Sequence, residues 1–247
     1  MSGHSKWATI KRQKGVNDAK RGQLFTRLGN AISLAARNGG DPDMNASLAM
    51  AIDKAKSANM PGANIERAIK RGTGELGGQQ IQEYLFEGYG PGGIGIIVEA
   101  ASDNRNRTAA DVRAALAKNG GNLAETGAVA FAFTRKGLIR IKADNNGNND
   151  EAMMAMIEAG ADDVVEDDGE QLVYTGMADL AAVREALKAK GFDVLEAGLV
   201  YEPNNLLEIT DKSTLSKIER LIESLEDLDD VTSIYANFDV ADELVES

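Results

Sequence analysis

EGYGPGGIGIIVEAASDNRNRT, residues Glu87 to Thr108, decides how this chain is read. Gly88-Tyr89-Gly90-Pro91-Gly92-Gly93 satisfies the G-x-G-x-x-G spelling of a dinucleotide-binding loop. That chemistry needs a strand entering the loop and a helix leaving it, so that helix N–H groups and the positive end of the dipole face the pyrophosphate. Here Ile94 to Ala101 leaves the glycines as an apolar run that reads as a buried strand, and no β-rich run precedes them. The order is the reverse of a cofactor loop. The expectation is therefore no cofactor, and a tight turn in which glycine allows a close backbone approach.

Outward from this strand the pattern alternates. A helix at 106–118 and a strand at 128–133 complete one βαβ unit. A strand at 137–142, a helix near 151–158, a strand pair at 163–166 and 171–175, a helix at 177–190 and a strand at 193–200 then spell βαββαβ. Asp167-Asp168-Gly169 joins the pair as a hairpin turn. A second βαβ closes the series with 206–209, a helix at 214–225 and 231–236. Toward the N-terminus, residues 17–72 read as helical. Leu24, Phe25, Leu28, Ile32 and Ala35 draw one apolar stripe, Leu48, Ile52 and Ala55 a second, and Ile65, Ala68 and Ile69 a third. The predicted fold class is α+β: an N-terminal helical domain followed by two ferredoxin-like α/β domains, the second inserted between the βαβ halves of the first. The expected bounds are 1–80 for the basic arm and helical domain, 81–135 with 203–240 for the first α/β domain, and 136–202 for the inserted acidic one.

A net charge of -12 speaks against nucleic acid only on average. Residues 1–75 carry 13 Lys and Arg against 6 Asp and Glu, whereas residues 143–247 carry 6 against 27. Such a split suggests a basic end that meets an anion and an acidic end that keeps the molecule in solution. There is no cysteine, which removes disulfides, thiolate nucleophiles and cysteine-ligated metals. No window approaches a membrane span and the basic N-terminus lacks an apolar signal core, so a cytoplasmic protein without a membrane partner is expected.

Catalytic constellations are sparse. His4 is the only histidine, so a Ser-His-Asp arrangement or a histidine-rich metal site has little to build on. Asp162, Asp163, Glu166, Asp167, Asp168 and Glu170 sit beside a hairpin and read as a solvated face. The run Asp144 to Asp150 lacks the glycine that a calcium loop needs at its sixth position. No enzyme, no metal and no small-molecule substrate are expected, and a monomer is the working assumption.

The basic end is more specific. His4, Lys6, Trp7, Lys11, Arg12 and Lys14 combine cations with one aromatic ring, a mixture suited to neutralising phosphates and stacking on a base. Lys20, Arg21 and Arg27 continue the charge onto the first helix, and Arg67, Lys70 and Arg71 lie outside the apolar stripe of the third. Arg105 and Arg107 stand beside a helix start, where they can hold a phosphate; alternatively Asp103 or Asn104 caps that helix.

With these residues in view, the chain resembles the YebC/PmpR family. The resemblance rests on GHSKW (Gly3 to Trp7), DAKRGQLFT (Asp18 to Thr26), GGDP (Gly39 to Pro42), NMP with NIERAIKRGTG (Asn59 to Gly74), EGYGPGG (Glu87 to Gly93), DNRNRT (Asp103 to Thr108) and GGNLAETGAVAF (Gly120 to Phe131). It implies a helical first domain with two α/β domains around a cleft. It also implies nucleic-acid contact through the arm and first domain, and Tyr89 and Arg105 facing the cleft. Family members are described as DNA-binding transcriptional regulators, and relatives that include a mitochondrial translational activator are implicated on the ribosome at proline-rich stretches. The partner implied is ribosomal RNA on the ribosome, or promoter DNA. The sequence departs from the family at Asn45 to Ala49, which lacks the arginines usual beside the leucine, and at Gly62, where a lysine is common. The second helix is accordingly not a nominated contact.

Overall fold

The computed structural model describes residues 18–143, 149–167 and 169–245. Among the described residues three helices come first: α1 (Asp18–Ala36), α2 (Ala46–Ser57) and α3 (Gly62–Gly72). Then follow β1 (Gln82–Tyr89), β2 (Gly95–Ser102), α4 (Arg105–Lys118), β3 (Asn122–Leu123), β4 (Phe133–Lys142), α5 (Asn149–Glu158), β5 (Asp163–Asp167) and β6 (Glu170–Thr175). The chain continues through α6 (Leu180–Ala189), β7 (Val194–Pro203), β8 (Leu207–Ile209), α7 (Lys212–Glu226), β9 (Val231–Ala236), β10 (Phe238–Val240) and α8 (Asp242–Val245).

The predicted apolar stripes of the helical domain meet in one cluster that includes Leu28, Ile32, Leu48, Ile52, Ile65 and Ala68. Asn45 ties its turns together. The Asn45 Oδ1 accepts the Leu48 N–H at 3.1 Å as the cap of α2, while its amide donates to the carbonyls of Ala35 and Gly39. Where α3 crosses α1, a Cβ on Gly72 would lie 2.2 Å from the carbonyl oxygen of Ser33, so only glycine fits.

The inserted domain has strand order β5-β6-β4-β7 with every neighbouring pair antiparallel. With α5 and α6 it forms a ferredoxin-like βαββαβ unit. Ile139, Ile141 and Val173 face Met156, Val183 and Leu187 of the helices in its core. The central sheet has order β3-β1-β2-β9, again antiparallel, with α4 and α7 packed on one face over Phe86, Ile96, Val98 and Ala100. This is the same ferredoxin-like strand order, except that β1 takes the place of the third strand although it comes first in the chain. Strands β2 and β9 pair directly, so the segments before and after the inserted unit share one sheet.

Three expectations need correction. A strand, β1, does precede the glycines, and it forms an antiparallel hairpin with β2. Within the connection, Gly92 and Gly93 adopt φ of 76° and 77°, and the Gly90 N–H donates to the Ile94 carbonyl at 2.9 Å. No helix leaves this loop, so it lacks the anion-binding terminus that the dinucleotide motif requires. Residues 128–133 are not a strand: Ala130–Ala132 is a 3-10 turn, and β4 begins at Phe133. Finally, the strand near 206–209 stays out of the central sheet and pairs in parallel with β10.

Candidate nucleic-acid interface

On α3, Arg67, Lys70 and Arg71 lie three and four residues apart on one helix face, opposite buried Ile65, Ala68 and Gly72. All three are exposed. The cations of the last turn suit the negative end of the helix dipole, and Gly74 at φ 85° closes the turn behind them. Arg67 and Lys70 meet no side-chain partner among the described residues.

Arg71 links this helix to the second domain. Its guanidinium donates to Asn30 Oδ1 at 3.4 Å and lies 3.7 Å from Asp103. Asn30 in turn donates to the carbonyl of Ala101 at the end of β2. Arg27 lies one turn before Asn30 on α1, and its Nε is shielded from solvent with no hydrogen-bond partner among the described residues. A buried donor in that state favours an added acceptor. His4, Lys6, Trp7, Lys11, Arg12 and Lys14 fall outside the described residues. Lys20 and Arg21 lie on α1, but their side chains are also outside the description.

The DNRNRT motif proves to be a joint. Asn104 caps α4, its Oδ1 accepting the Arg107 N–H at 3.1 Å. Asp230, in the turn before β9, accepts from Ser102 Oγ at 2.9 Å, Thr108 Oγ1 at 2.7 Å and the Arg107 guanidinium at 2.9 Å. Arg107 also reaches Asp103 at 3.1 Å. Burial pushes the Asp230 carboxyl up, but these donors and the Arg107 charge outweigh it and hold it below its ordinary value. The Asp230 contacts raise the Arg107 pKa in return. The Arg107 guanidinium is thus paired with Asp103 and Asp230 beside a capped helix start, the alternative that the motif left open.

The residues expected to face a cleft diverge. Arg105 is exposed and lines a groove between α4 and the edge of β1. Tyr89 projects from the other face of the central sheet, where its hydroxyl donates to the Ala128 carbonyl at 2.8 Å. That face carries residues the sequence reading missed. Glu87 accepts the backbone N–H groups of Gly127, Val129 and Ala130 at 2.7, 2.6 and 2.8 Å. Glu99 accepts from the Tyr235 hydroxyl at 3.1 Å and lies 3.8 Å from Arg135, which stacks over Tyr201. Phe131 is 77% exposed on the 3-10 turn. Its signal lay in the GGNLAETGAVAF run, whose end was read as part of a strand at 128–133.

The helical and acidic domains also meet directly. Lys54 pairs with Glu196 at 2.8 Å, Glu196 with Arg140 at 3.0 Å, and Asp53 with both Arg184 and Lys188. Burial raises the Glu196 pKa, and the Lys54 and Arg140 charges overcome that effect to leave it lowered. Among the described residues, no group of three or more His, Cys, Asp or Glu is arranged to hold a metal ion. No described helix is long and apolar enough to cross a membrane.

Comparison with known proteins gives this arrangement a family. Residues 5–75 match the model described as TACO1/YebC protein N-terminal domain, and residues 81–238 match TACO1/YebC second and third domain. A "probable transcriptional regulatory protein" of Desulfotalea psychrophila is 52% identical, covering 100% of this chain and 98% of that one. A protein of the same name from Halothermothrix orenii is 49% identical over the same shares. The crystal structure of a conserved hypothetical protein from Aquifex aeolicus superposes with a TM-score of 0.88 at 42% identity, covering 98% of this chain and 100% of that one. With both of its segments matched in order, the chain belongs to the TACO1/YebC family.

Proposed function

We propose that this protein regulates gene expression by holding nucleic acid on its first domain. In this reading it is a ribosome-associated translation factor that contacts ribosomal RNA and assists peptide-bond formation at difficult, proline-rich stretches. The observation that carries the nucleic-acid part is the exposed cationic face of α3, where Arg67 and Lys70 present charge without an internal partner. Phosphate is the natural counterpart of such a face, and the release of counterions makes the binding salt-dependent. In the proposal the arm residues His4, Lys6, Trp7, Lys11, Arg12 and Lys14, with Lys20, Arg21 and Arg27, add further contacts to the nucleic acid. The acidic half then faces away from phosphate and restricts where the basic half docks. Chemistry at the site is binding and positioning. No catalytic step is assigned.

A second reading, duplex DNA, is favoured by the names of the relatives, which describe regulators of transcription. Sedimentation of lysate through a sucrose gradient separates the two. The intact protein is expected to travel with ribosomal particles, and a variant lacking residues 1–16 to stay at the top. If both remain at the top while ribosomes are intact, the ribosome reading falls and promoter DNA takes its place. Salt titration of the Arg67→Ala and Lys70→Ala variants sharpens the outcome. For every phosphate that a variant no longer neutralises, the slope of log K against log salt falls by about 0.9 on duplex DNA or about 0.7 on a single strand.

A further inference from the structure

Strand β1 is only partly covered along its outer edge. Its pairing with β3 is confined to Gly88 and Tyr89, with one further bond from the Ala124 N–H to the Glu87 carbonyl. Because backbone groups alternate sides along a strand, Leu85 and Glu83 turn their N–H and C=O the same way as Glu87. No described strand meets them there. An unpaired edge of this kind is a template for another extended chain.

Beside that edge runs a groove of about 630 Å³, with Leu85, Phe86 and Leu123 along one side and α4 along the other. From α4 it receives Arg105, Asn106, Ala109 and Arg113, a stripe of one helix face. Arg105 and Arg113 are exposed, and neither pairs with a carboxylate among the described residues. They are eight residues apart, which is about 12 Å along a helix. Four residues of an extended strand span about 13 Å. Two carboxylates at positions i and i+4 of a strand laid along β1 therefore match the two guanidiniums. The Glu87 carboxylate is already taken by three backbone N–H groups, and the exposed Glu125 lines the segment after β3, so the groove presents two available guanidiniums against one available carboxylate.

We infer that this groove takes an extended acidic peptide of a partner protein, added as a strand to the edge of β1 with its carboxylates on Arg105 and Arg113. The open backbone edge favours a peptide over a nucleic-acid strand. So does the lack of a free ring for base stacking: Phe86, the one aromatic residue in the lining, is only 6% exposed and belongs to the core.

The test is fluorescence anisotropy on the full-length protein with a labelled nonapeptide of threonine and valine carrying glutamate at its third and seventh positions. Saturable binding is expected, and the same peptide with lysine at those positions should not bind. Arg105→Glu with Arg113→Glu should weaken binding at least about tenfold at an unchanged urea midpoint. Two further probes, N-methylated on alternate amides, leave the protein untouched: one set should lose binding and the other keep it. No saturation up to about 1 mM peptide, or equal binding of both methylated probes, overturns the proposal. Displacement of the probe by an oligouridylate whose own binding needs Arg105 and Arg113 also overturns it, in favour of RNA. The α3 face lies outside this groove, so a failure here leaves the nucleic-acid reading standing, and the reverse also holds.

Discussion

Glu87 and Glu99 stand on adjacent strands of one sheet, point to the same face and are 3% and 8% exposed, yet their environments drive them in opposite directions. At Glu87 burial raises the pKa, but the N–H groups of Gly127, Val129 and Ala130 outweigh it and leave it lowered. At Glu99 burial is again the largest effect and it wins. The Tyr235 hydroxyl and Arg135 offset it only in part, Glu83 adds repulsion, and the pKa ends raised. The Tyr235 hydroxyl, buried beside Glu99, is itself pushed up. The contrast is one of burial against the donors aimed at each carboxylate: three backbone N–H groups prevail at Glu87, while the Tyr235 hydroxyl, Ser233 and Arg135 do not prevail at the more heavily desolvated Glu99. It also separates two structural roles. Glu87 folds a loop around itself, whereas Glu99 sits where the central sheet meets Arg135 and Tyr201 of the inserted domain.

The largest effect is expected from Glu87→Leu, which strands three backbone donors. It should cost about 3 kcal/mol in urea denaturation, and a drop under about 1 kcal/mol would break the comparison. Next comes Asp230→Ala, at about 2 kcal/mol, because Asp230 resembles Glu87 in having several donors. Its folded pKa is lowered, so its contribution is present above the ordinary value of 3.8 and is lost as pH falls through the folded value. An Asp230→Ala penalty that persists undiminished well below that window would contradict the assignment. Glu99→Gln should be smallest, within about 1 kcal/mol near neutrality. The folded state holds the Glu99 proton more tightly than the unfolded state does, so wild type should lose stability relative to the Gln variant as pH rises from 4.5 through the raised value. Urea midpoints of both proteins across that window decide it: parallel curves would mean that Glu99 is adequately paired.

Glu87 also explains where sequence reading failed. QEYLFEGY places Tyr84 and Phe86 toward the helices, but its two glutamates conceal the strand, because the burial of Glu87 depends on donors about forty residues away. The same carboxylate explains the opposite error at 128–133. The apolar alternation there resembles a strand, but the Val129 and Ala130 N–H groups are bound to Glu87 and are not available to a ladder. Where local pattern and burial agreed, the reading was sound: the helical stripes meet in one core, and the pair 163–166 and 171–175 forms the antiparallel strands β5 and β6.

The sequence by itself determined the helical stripes of the first domain, the segregation of charge between the two halves, and the family, because these are carried by neighbours along the chain. Only the tertiary structure decided which cations remain available. Arg67 and Lys70 of α3 and Arg105 of α4 stay exposed, whereas Arg107 is neutralised by Asp230, a residue 123 positions away. The physical reason is that an ion pair depends on distance in space, which the spacing of charges along a chain does not encode.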